Sequence, residues 1–269
     1  MIIVKLGGSL VREGCNSSIY EEIARASKMK GLVLVHGGGD EVTEIAKRLG
    51  HEQKFVISES GIESRYTDWE TMKIYAMVMS GLIAKRIELN LIKYNVRPFC
   101  ITGLDGLMLI AERKKRLLIK QGDRKFFIDG GYTGMIKKVD PYPLFVLIEL
   151  GFLPIISPIA LSEEGEMLNV DSDRVASHIA SSLNAESLIL LTDVDGVYLR
   201  NELIEKLSQK DCEKLISEVG QGMKMKLIAS MHALKNGVKK VIIANGNADD
   251  LNLVNPEEMK RKTIICDEL

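Results

Sequence analysis

The sequence predicts an α/β fold, a three-layer αβα sandwich around a central, mainly parallel sheet. Two observations carry this. Short β-branched or aliphatic runs recur at 1–6, 32–35, 98–101, 153–157, 187–191 and 240–244, and most are separated by segments with helical spacing of apolar residues. A strand buried on both faces reads as a continuous apolar run, and a helix between two such runs returns the chain to a parallel neighbour. The alternation therefore places helices on both faces of one sheet.

In chain order, helices are expected at 18–29, 40–49, 68–91, 143–150, 172–183 and 223–235. The middle departs from the pattern. Strand-like pieces at 107–111, 117–120 and 126–128 lie close together with charged or glycine-containing turns, which predicts antiparallel hairpins inserted in the first half. No repeat or low-complexity linker interrupts the chain, so a single domain over 1–269 is expected, with approximate lobes at 1–168 and 169–269.

Composition removes several classes of function. Of 269 residues, 46% are hydrophobic and 27% charged, with a formal net charge of −1, which argues against disorder and against general affinity for nucleic acid. The opening apolar stretch is short and runs into Lys5 and a glycine pair, unlike a signal peptide. No apolar run approaches the roughly 20 residues of a membrane span, so a cytoplasmic location and no membrane partner are expected. Cys15, Cys100, Cys212 and Cys266 are scattered without zinc spacing and are expected to be reduced and structural, with no protein metal site. Walker-type, dinucleotide, nucleophile-elbow and zinc-peptidase motifs are all absent.

The positive signals are glycine turns and lysines. The first strand ends Val4-Lys5-Leu6-Gly7-Gly8-Ser9, and residues without Cβ let backbone N–H groups approach an anion. Val35-His36-Gly37-Gly38-Gly39 repeats the arrangement just before a helix, whose N-terminus favours phosphate. Leu168-Asn169-Val170-Asp171-Ser172-Asp173 then enters a helix, with Asp171 or Ser172 as candidate N-cap. Leu191-Thr192-Asp193-Val194-Asp195-Gly196-Val197-Tyr198 ends another apolar strand, where open α/β sheets bind ligands. Gly220-Gln221-Gly222-Met223-Lys224-Met225-Lys226 leads into the last helix.

These motifs, in this order, resemble the amino-acid kinase family and its N-acetylglutamate kinase branch. Ser64-Arg65-Tyr66-Thr67-Asp68, Met77-Val78-Met79, Gly131-Tyr132-Thr133-Gly134 and Leu168-Asn169-Val170-Asp171 look like the [LysW]-aminoadipate/[LysW]-glutamate kinase subgroup. The resemblance implies the amino-acid kinase fold and ATP-dependent phosphorylation of a side-chain carboxylate on an amino acid carried by a small acidic LysW-type protein. The pathway it implies is lysine or arginine biosynthesis, and the expected assembly is a homodimer. It assigns the first lobe to the acceptor and the second to ATP, with Mg²⁺ accompanying the nucleotide.

By the same resemblance, Lys5 and Lys226 handle the phosphates and Asp173 positions both lysines. Gly7, Gly8, Gly37 and Gly38 line the phosphates, while Gly38, Gly39, Arg65 and Asn169 bind the acceptor, Arg65 through its α-carboxylate. Thr192, Asp193, Gly196 and Tyr198 hold the nucleotide. One segment departs from the subgroup: Gly81-Leu82-Ile83-Ala84-Lys85 stands where Gly-Lys-x-Asn-Lys is usual. A carboxylate acceptor is already ionised at neutral pH, so positive groups rather than a general base should carry the chemistry.

Arg113, Lys114, Lys115, Arg116, Lys120, Arg124 and Lys125 cluster in the hairpin region, with Lys137 and Lys138 soon after. They are expected to border the acceptor cleft and steer an acidic carrier. Nucleic acid fits less well, because no aromatic platform is expected beside the charges. His36 is expected to pack beneath its glycine loop, and none of the four histidines has a metal partner at motif spacing. Two other readings remain open: a kinase of free N-acetylglutamate, and a non-catalytic ATP-binding sensor.

Overall fold

The computed structural model describes residues 1–12, 17–59, 61–122 and 124–267; Cys15 lies outside the described residues. Eight strands form the central sheet: β1 (Ile2–Leu6), β2 (Leu32–His36), β3 (Pro98–Thr102), β4 (Leu153–Ser157), β5 (Ser187–Thr192), β6 (Lys206–Ser208), β7 (Lys240–Asn245) and β8 (Lys262–Cys266). Their order is β6-β8-β7-β5-β1-β2-β4-β3. The six strands from β7 to β3 are mutually parallel. Strand β8 runs antiparallel to β7, and β6 follows β8.

Alternation along β1 builds the three layers. Ile2, Val4 and Leu6 enter one core, with Ile19, Ile23, Val42, Met79 and Ile87 from the helices on that side. Ile3 enters the other, with Val33, Val35, Val175, Ile179 and Leu227. Side chains two apart share a face, so Lys5 points with Ile3 toward the layer holding helices Ser172–Ser182 and Gln221–Lys235. A lysine is thereby delivered into a buried layer at the carboxyl end of a central strand.

The expected helix at 68–91 is present but not uniform. Asp68 caps it by accepting from the Thr71 N–H at 2.8 Å, helix Trp69–Ala76 follows, Met77–Ile83 widens to π geometry, and Ala84–Ile92 returns to α. The bulge brings Met79 and Ile83 against Gly38, at whose φ of +147° only glycine is at ease and whose added Cβ would lie 2.2 Å from Ile83. Of the departing residues, Leu82 is exposed and Ala84 is packed in the core, while Lys85 Nζ pairs with Glu88 at 2.7 Å.

The hairpin region is richer than expected. Leu109–Arg113 and Gly134–Val139 pair antiparallel within a four-stranded sheet completed by Ile159–Leu161 and Met167–Asn169. The strand starts at Leu109 rather than 107 because Gly106 and Leu107 turn through positive φ. Arg116–Gln121 and Arg124–Asp129 form the expected hairpin. A further hairpin, Lys54–Ile57 with Glu63–Tyr66, sits against it through Glu59 N–H to Leu118 O at 3.1 Å and Lys125 to Glu59 at 2.7 Å. Both strands are only four residues long and largely exposed, Phe55 and Ile57 included, so no buried period-2 face marked them. Among the described residues no helix is long and apolar enough to cross a membrane.

Arg86 ties the bulged helix to the glycine-loop helix, with both guanidinium ends on Glu41 at 2.7 Å and a further bond to Val11 O at 3.1 Å. Both side chains are mostly buried. Arg86→Met should lower unfolding free energy by about 2–3 kcal/mol, because it strands the Glu41 carboxylate. Urea denaturation checks this, and a change below about 0.5 kcal/mol, the size of an ordinary surface substitution, would show that the pair does not brace the loop.

Candidate functional site

The two glycine turns end adjacent parallel strands and touch each other. Gly7 N–H donates to Leu191 O at 2.9 Å and Gly37 N–H to Leu6 O at 2.8 Å, so each turn continues the sheet's ladder by one bond. A Cβ on Gly8 would lie 3.2 Å from Gly38 N, and one on Gly37 would lie 3.1 Å from Gly8 N. The close approach forms a surface made of backbone. Helix Gly39–Arg48 starts there with no side-chain cap bond, leaving its first-turn N–H groups for a ligand.

Beside this surface three charged side chains meet. Lys5 Nζ lies 2.7 Å from Asp173 Oδ1, and Lys226 Nζ lies 3.2 Å from Asp173 Oδ2. All three are buried, at 4%, 7% and 4% exposure for Lys5, Lys226 and Asp173. Asp173 is at the first turn of its helix, after Asp171 caps it by accepting the Arg174 N–H at 2.9 Å. Lys226 shares a helix face with Ser230 and Ala233, which packs along the Asp173 helix. Burial pushes Asp173 toward the neutral form, but the two ammonium groups outweigh it and hold its pKa below the usual value. With all three ionised, the cluster of two ammoniums and one carboxylate carries one excess positive charge.

His36 packs beneath the second loop, fully buried. Its Nδ1 faces Gly37 O and its Nε2 faces Ser157 Oγ, both at 2.9 Å. A carbonyl only accepts, so Nδ1 carries the proton and Nε2 takes the Ser157 hydroxyl. Burial, aided by Lys5, lowers the imidazole from 6.5 to about 4.

The three motifs at 64–68, 131–134 and 168–171 converge on one another. Tyr132 N–H donates to Thr67 O at 2.6 Å, Asn169 N–H to Tyr132 O at 2.8 Å, and Asn169 Nδ2 to Thr67 Oγ1 at 2.9 Å. Arg65 Nη2 bonds Gly39 O at 2.6 Å and Thr43 Oγ1 at 2.9 Å, Nη1 bonds Gln53 Oε1 at 2.6 Å, and its plane lies over Phe55. Arg65 and Gly39 are thus together, but both Nη2 hydrogens are already engaged. A two-point grip on a carboxylate requires one of these bonds to be exchanged.

The segment after β5 is held from below. Thr192 is buried and its hydroxyl reaches Asp193 at 3.1 Å. Tyr198 is exposed, and its hydroxyl donates to Asp195, which also accepts from Asn245 at 3.0 Å and Arg261 at 3.1 Å. Asp195, left without a role in the sequence reading, organises the turn. Gly196 is required for packing: an added Cβ would lie 2.5 Å from Thr263 Oγ1.

The basic cluster divides. Arg113 turns inward, donating to Gly131 O and Glu166 at 2.7 Å and lying over the Tyr132 ring. Lys125 and Lys137 pair with Glu59 and Glu112. Lys115, Arg116, Lys120 and Arg124 remain exposed on the outer hairpin. The expected lack of aromatic residues beside these charges is corrected: Phe126 and Phe127 are 41% and 64% exposed on the same hairpin, and Phe55 is 48% exposed on its neighbour. Three apolar side chains left in water among basic ones are unexplained by the hairpin alone. Sequence reasoning also passed over Gln221, whose Nε2 bonds Gly61 O at 2.8 Å and joins the turn of the Lys54–Ile57 and Glu63–Tyr66 hairpin to the Lys226 helix.

Residues 1–245 match the family model for the amino acid kinase family. The [LysW]-aminoadipate/[LysW]-glutamate kinase of Metallosphaera sedula is 44% identical over 252 residues, 93% of this chain and 95% of that protein. The protein of the same name from Saccharolobus solfataricus is 41% identical over 266 residues, covering 98% and 99%. N-acetylglutamate synthase from Neisseria gonorrhoeae, solved with coenzyme A and N-acetyl-glutamate, superposes with a TM-score of 0.81 at 25% identity, over 100% of this chain and 59% of that one. Carbamate kinase from Giardia lamblia, solved with AMP-PNP, shares the fold at a TM-score of 0.67 and 16% identity, over 98% of each chain.

Between pH 6.5 and 4 the unfolded chain binds a proton that buried His36 refuses. Its contribution is full above pH 6.5 and falls by about 3 kcal/mol as pH drops through that window. His178 and His232 shift the same way, so His36→Gln should shallow the pH dependence rather than abolish it. Urea midpoints at pH 7 and 4.5 test this, and an identical pH dependence in the variant would mean that His36 is not held neutral.

Proposed function

Because the chain belongs to the amino acid kinase family, we propose that it transfers the γ-phosphate of ATP to the side-chain carboxylate of 2-aminoadipate or glutamate borne on an acidic LysW-type carrier protein. The observation that carries this reading is the buried Lys5–Asp173–Lys226 cluster beside two touching glycine turns. The acyl phosphate so formed would serve lysine or arginine biosynthesis in the cytoplasm.

The acceptor carboxylate is the nucleophile and needs no base. The barrier lies in bringing two anions together and in the charge spread over the transferred group. Lys5 would contact the transferred phosphoryl and Lys226 the leaving side, each fixed by the same carboxylate. The N–H groups at Gly8 and Gly38 and at the start of helix Gly39–Arg48 would complete the electrostatic cradle. Residues 1–168 would then supply the acceptor side, through Gly39, Arg65 and Asn169. Residues 169–269 would supply the nucleotide side, through Thr192, Asp193, Gly196 and Tyr198.

Magnesium fits this site as an ion carried by the nucleotide. Both Asp173 oxygens are occupied by lysines, and among the described residues no group of three or more His, Cys, Asp or Glu stands together to cage a metal. Bound through the phosphates, with Asp171 before the Asp173 helix and Asp193 at the end of β5 as the carboxylates that would assist, it would neutralise phosphate charge.

The exposed basic hairpin with Phe55, Phe126 and Phe127 supports docking of an acidic protein with an apolar patch. A second copy of the chain fits elsewhere. Strand β3 is one of the two edges of the sheet, and beside it Leu82, Leu89, Ile92 and Phe99 are exposed between 42% and 65%. Edges and apolar stripes of this kind are commonly covered, which supports a homodimer.

Hydroxylamine trapping of acyl phosphate on carrier-linked aminoadipate, carrier-linked glutamate and free N-acetylglutamate in parallel tests the acceptor. Turnover of the carrier-linked pair is expected; turnover of N-acetylglutamate alone would replace this reading, and no turnover would favour a nucleotide-binding sensor. Lys5→Met should lower kcat by about 10²-fold or more, and near-normal turnover would remove Lys5 from phosphoryl transfer. Reversing Arg116, Lys120 and Arg124 together to Glu should weaken carrier affinity at low salt and less at high salt. An unchanged affinity would place carrier docking elsewhere.

A further inference from the structure

One group of polar side chains near the site has no partner. Lys114 follows strand Leu109–Arg113, and its N–H donates to Thr133 O at 2.9 Å. Thr133 bridges Asn169, which is two residues before the cap Asp171, and Arg174 lies in the first turn of the capped helix. Close packing fixes this crossing, since a Cβ on Gly134 would lie 2.9 Å from Val170 and 3.0 Å from Leu168. Thr133 Oγ1 is buried without a hydrogen-bond partner. Among the described residues, neither the Lys114 ammonium nor the Arg174 guanidinium has an ion pair or hydrogen bond, although both side chains are partly buried.

Two cations that repel each other, with an unsatisfied buried hydroxyl on the residue whose carbonyl takes the N–H of one of them, are costly in the free protein. Burial and the Arg174 charge pull the Lys114 pKa down, and Asp171 offsets this only in part. The other cations of the site are already engaged: Lys5 and Lys226 with Asp173, and Arg65 with Gly39, Thr43 and Gln53. An anion between Lys114, Arg174 and Thr133 would relieve the repulsion and satisfy the buried hydroxyl.

We infer that Lys114, Arg174 and the Thr133 hydroxyl form an anion subsite for a non-reacting carboxylate of the carrier-linked acceptor. This rests on the proposed function. The carboxylate belongs either to the acceptor amino acid or to the carrier peptide beside it. The subsite lies next to Asn169, which Thr133 bridges, and uses none of the three side chains of the Lys5–Asp173–Lys226 cluster, so it orients the acceptor rather than the transferred group. Lys114, grouped by sequence with a solvated hairpin, is on this view a specificity-determining residue.

The test begins with the wild-type protein, a non-hydrolysable ATP analogue, and calorimetric titration of the loaded carrier and the carrier lacking its amino acid, in low salt and 0.5 M salt. Lys114→Met and Arg174→Gln should each weaken loaded-carrier binding by about tenfold, the scale of one charge-assisted hydrogen bond, while analogue affinity stays the same. Thr133→Val should weaken it less, and Lys114→Arg should restore most of the loss. The loss should persist in 0.5 M salt, which distinguishes contact from long-range steering. Loss restricted to the loaded carrier assigns the carboxylate to the amino acid, and equal loss with the empty carrier assigns it to the peptide. Unchanged loaded-carrier affinity, or loss of analogue affinity instead, would overturn the subsite. If the wild type binds no carrier, the functional reading has failed, and the same variants titrated with N-acetylglutamate decide the subsite by the same criteria.

Discussion

Asp173 holds two buried ammonium groups that would otherwise repel each other, and much of the structure is arranged to keep it there. Its helix must start at that point, which the Asp171 cap ensures, and must lie on the face of the sheet to which β1 directs Lys5. The helix bearing Lys226 must then pack along it. Removing the carboxylate leaves two desolvated cations with nothing between them, a far larger penalty than an exposed ion pair could incur. The constraint fixes three elements distant in sequence, and it fixes the lysines more tightly than hydrogen bonding to solvent could.

The parallel sheet, the glycine turns and the order of the motifs were legible because each is a local pattern. Continuous apolar runs mark strands buried on both faces, and a glycine at the end of a strand marks a turn that a side chain would obstruct, as Gly38 against Ile83 shows. Strands β6 and β8 were not foreseen, since β6 is an edge strand of only three residues and β8, one place in from it, buries a single face through Thr263 and Ile265. The π segment was invisible for another reason: its apolar spacing remains compatible with a helix, and the extra residue per turn is set by the contact with the glycine loop.

Within the site, residue identity was legible and engagement was not. Nothing in the order Ser64-Arg65-Tyr66 reveals that Arg65 is held by Gly39, Thr43 and Gln53, because those partners come from another helix and from the base of its own hairpin. The basic cluster likewise read as one patch. Alternation and turn geometry separate it into inward Arg113, paired Lys125 and Lys137, and exposed Arg116, Lys120 and Arg124. The exposed phenylalanines on the same hairpin became visible only when the strand faces were known.

The distribution of pairing among the cations has a physical logic of its own. A cation that stabilises a transition state gains from being immobile, since no reorganisation is then required as charge develops; a protein carboxylate shared between Lys5 and Lys226 provides that immobility. A cation that selects a ligand gains from being unsatisfied, since the strain of two neighbouring unpaired charges is relieved only when the correct anion arrives. Lys114 and Arg174 are in that second condition, beside a buried hydroxyl that also lacks a partner. On the proposed function, paired cations at the transferred group and unpaired ones at the acceptor's edge would separate rate from selectivity. The acceptor range could then change through residues around Thr133 while the phosphate-handling cluster stays the same.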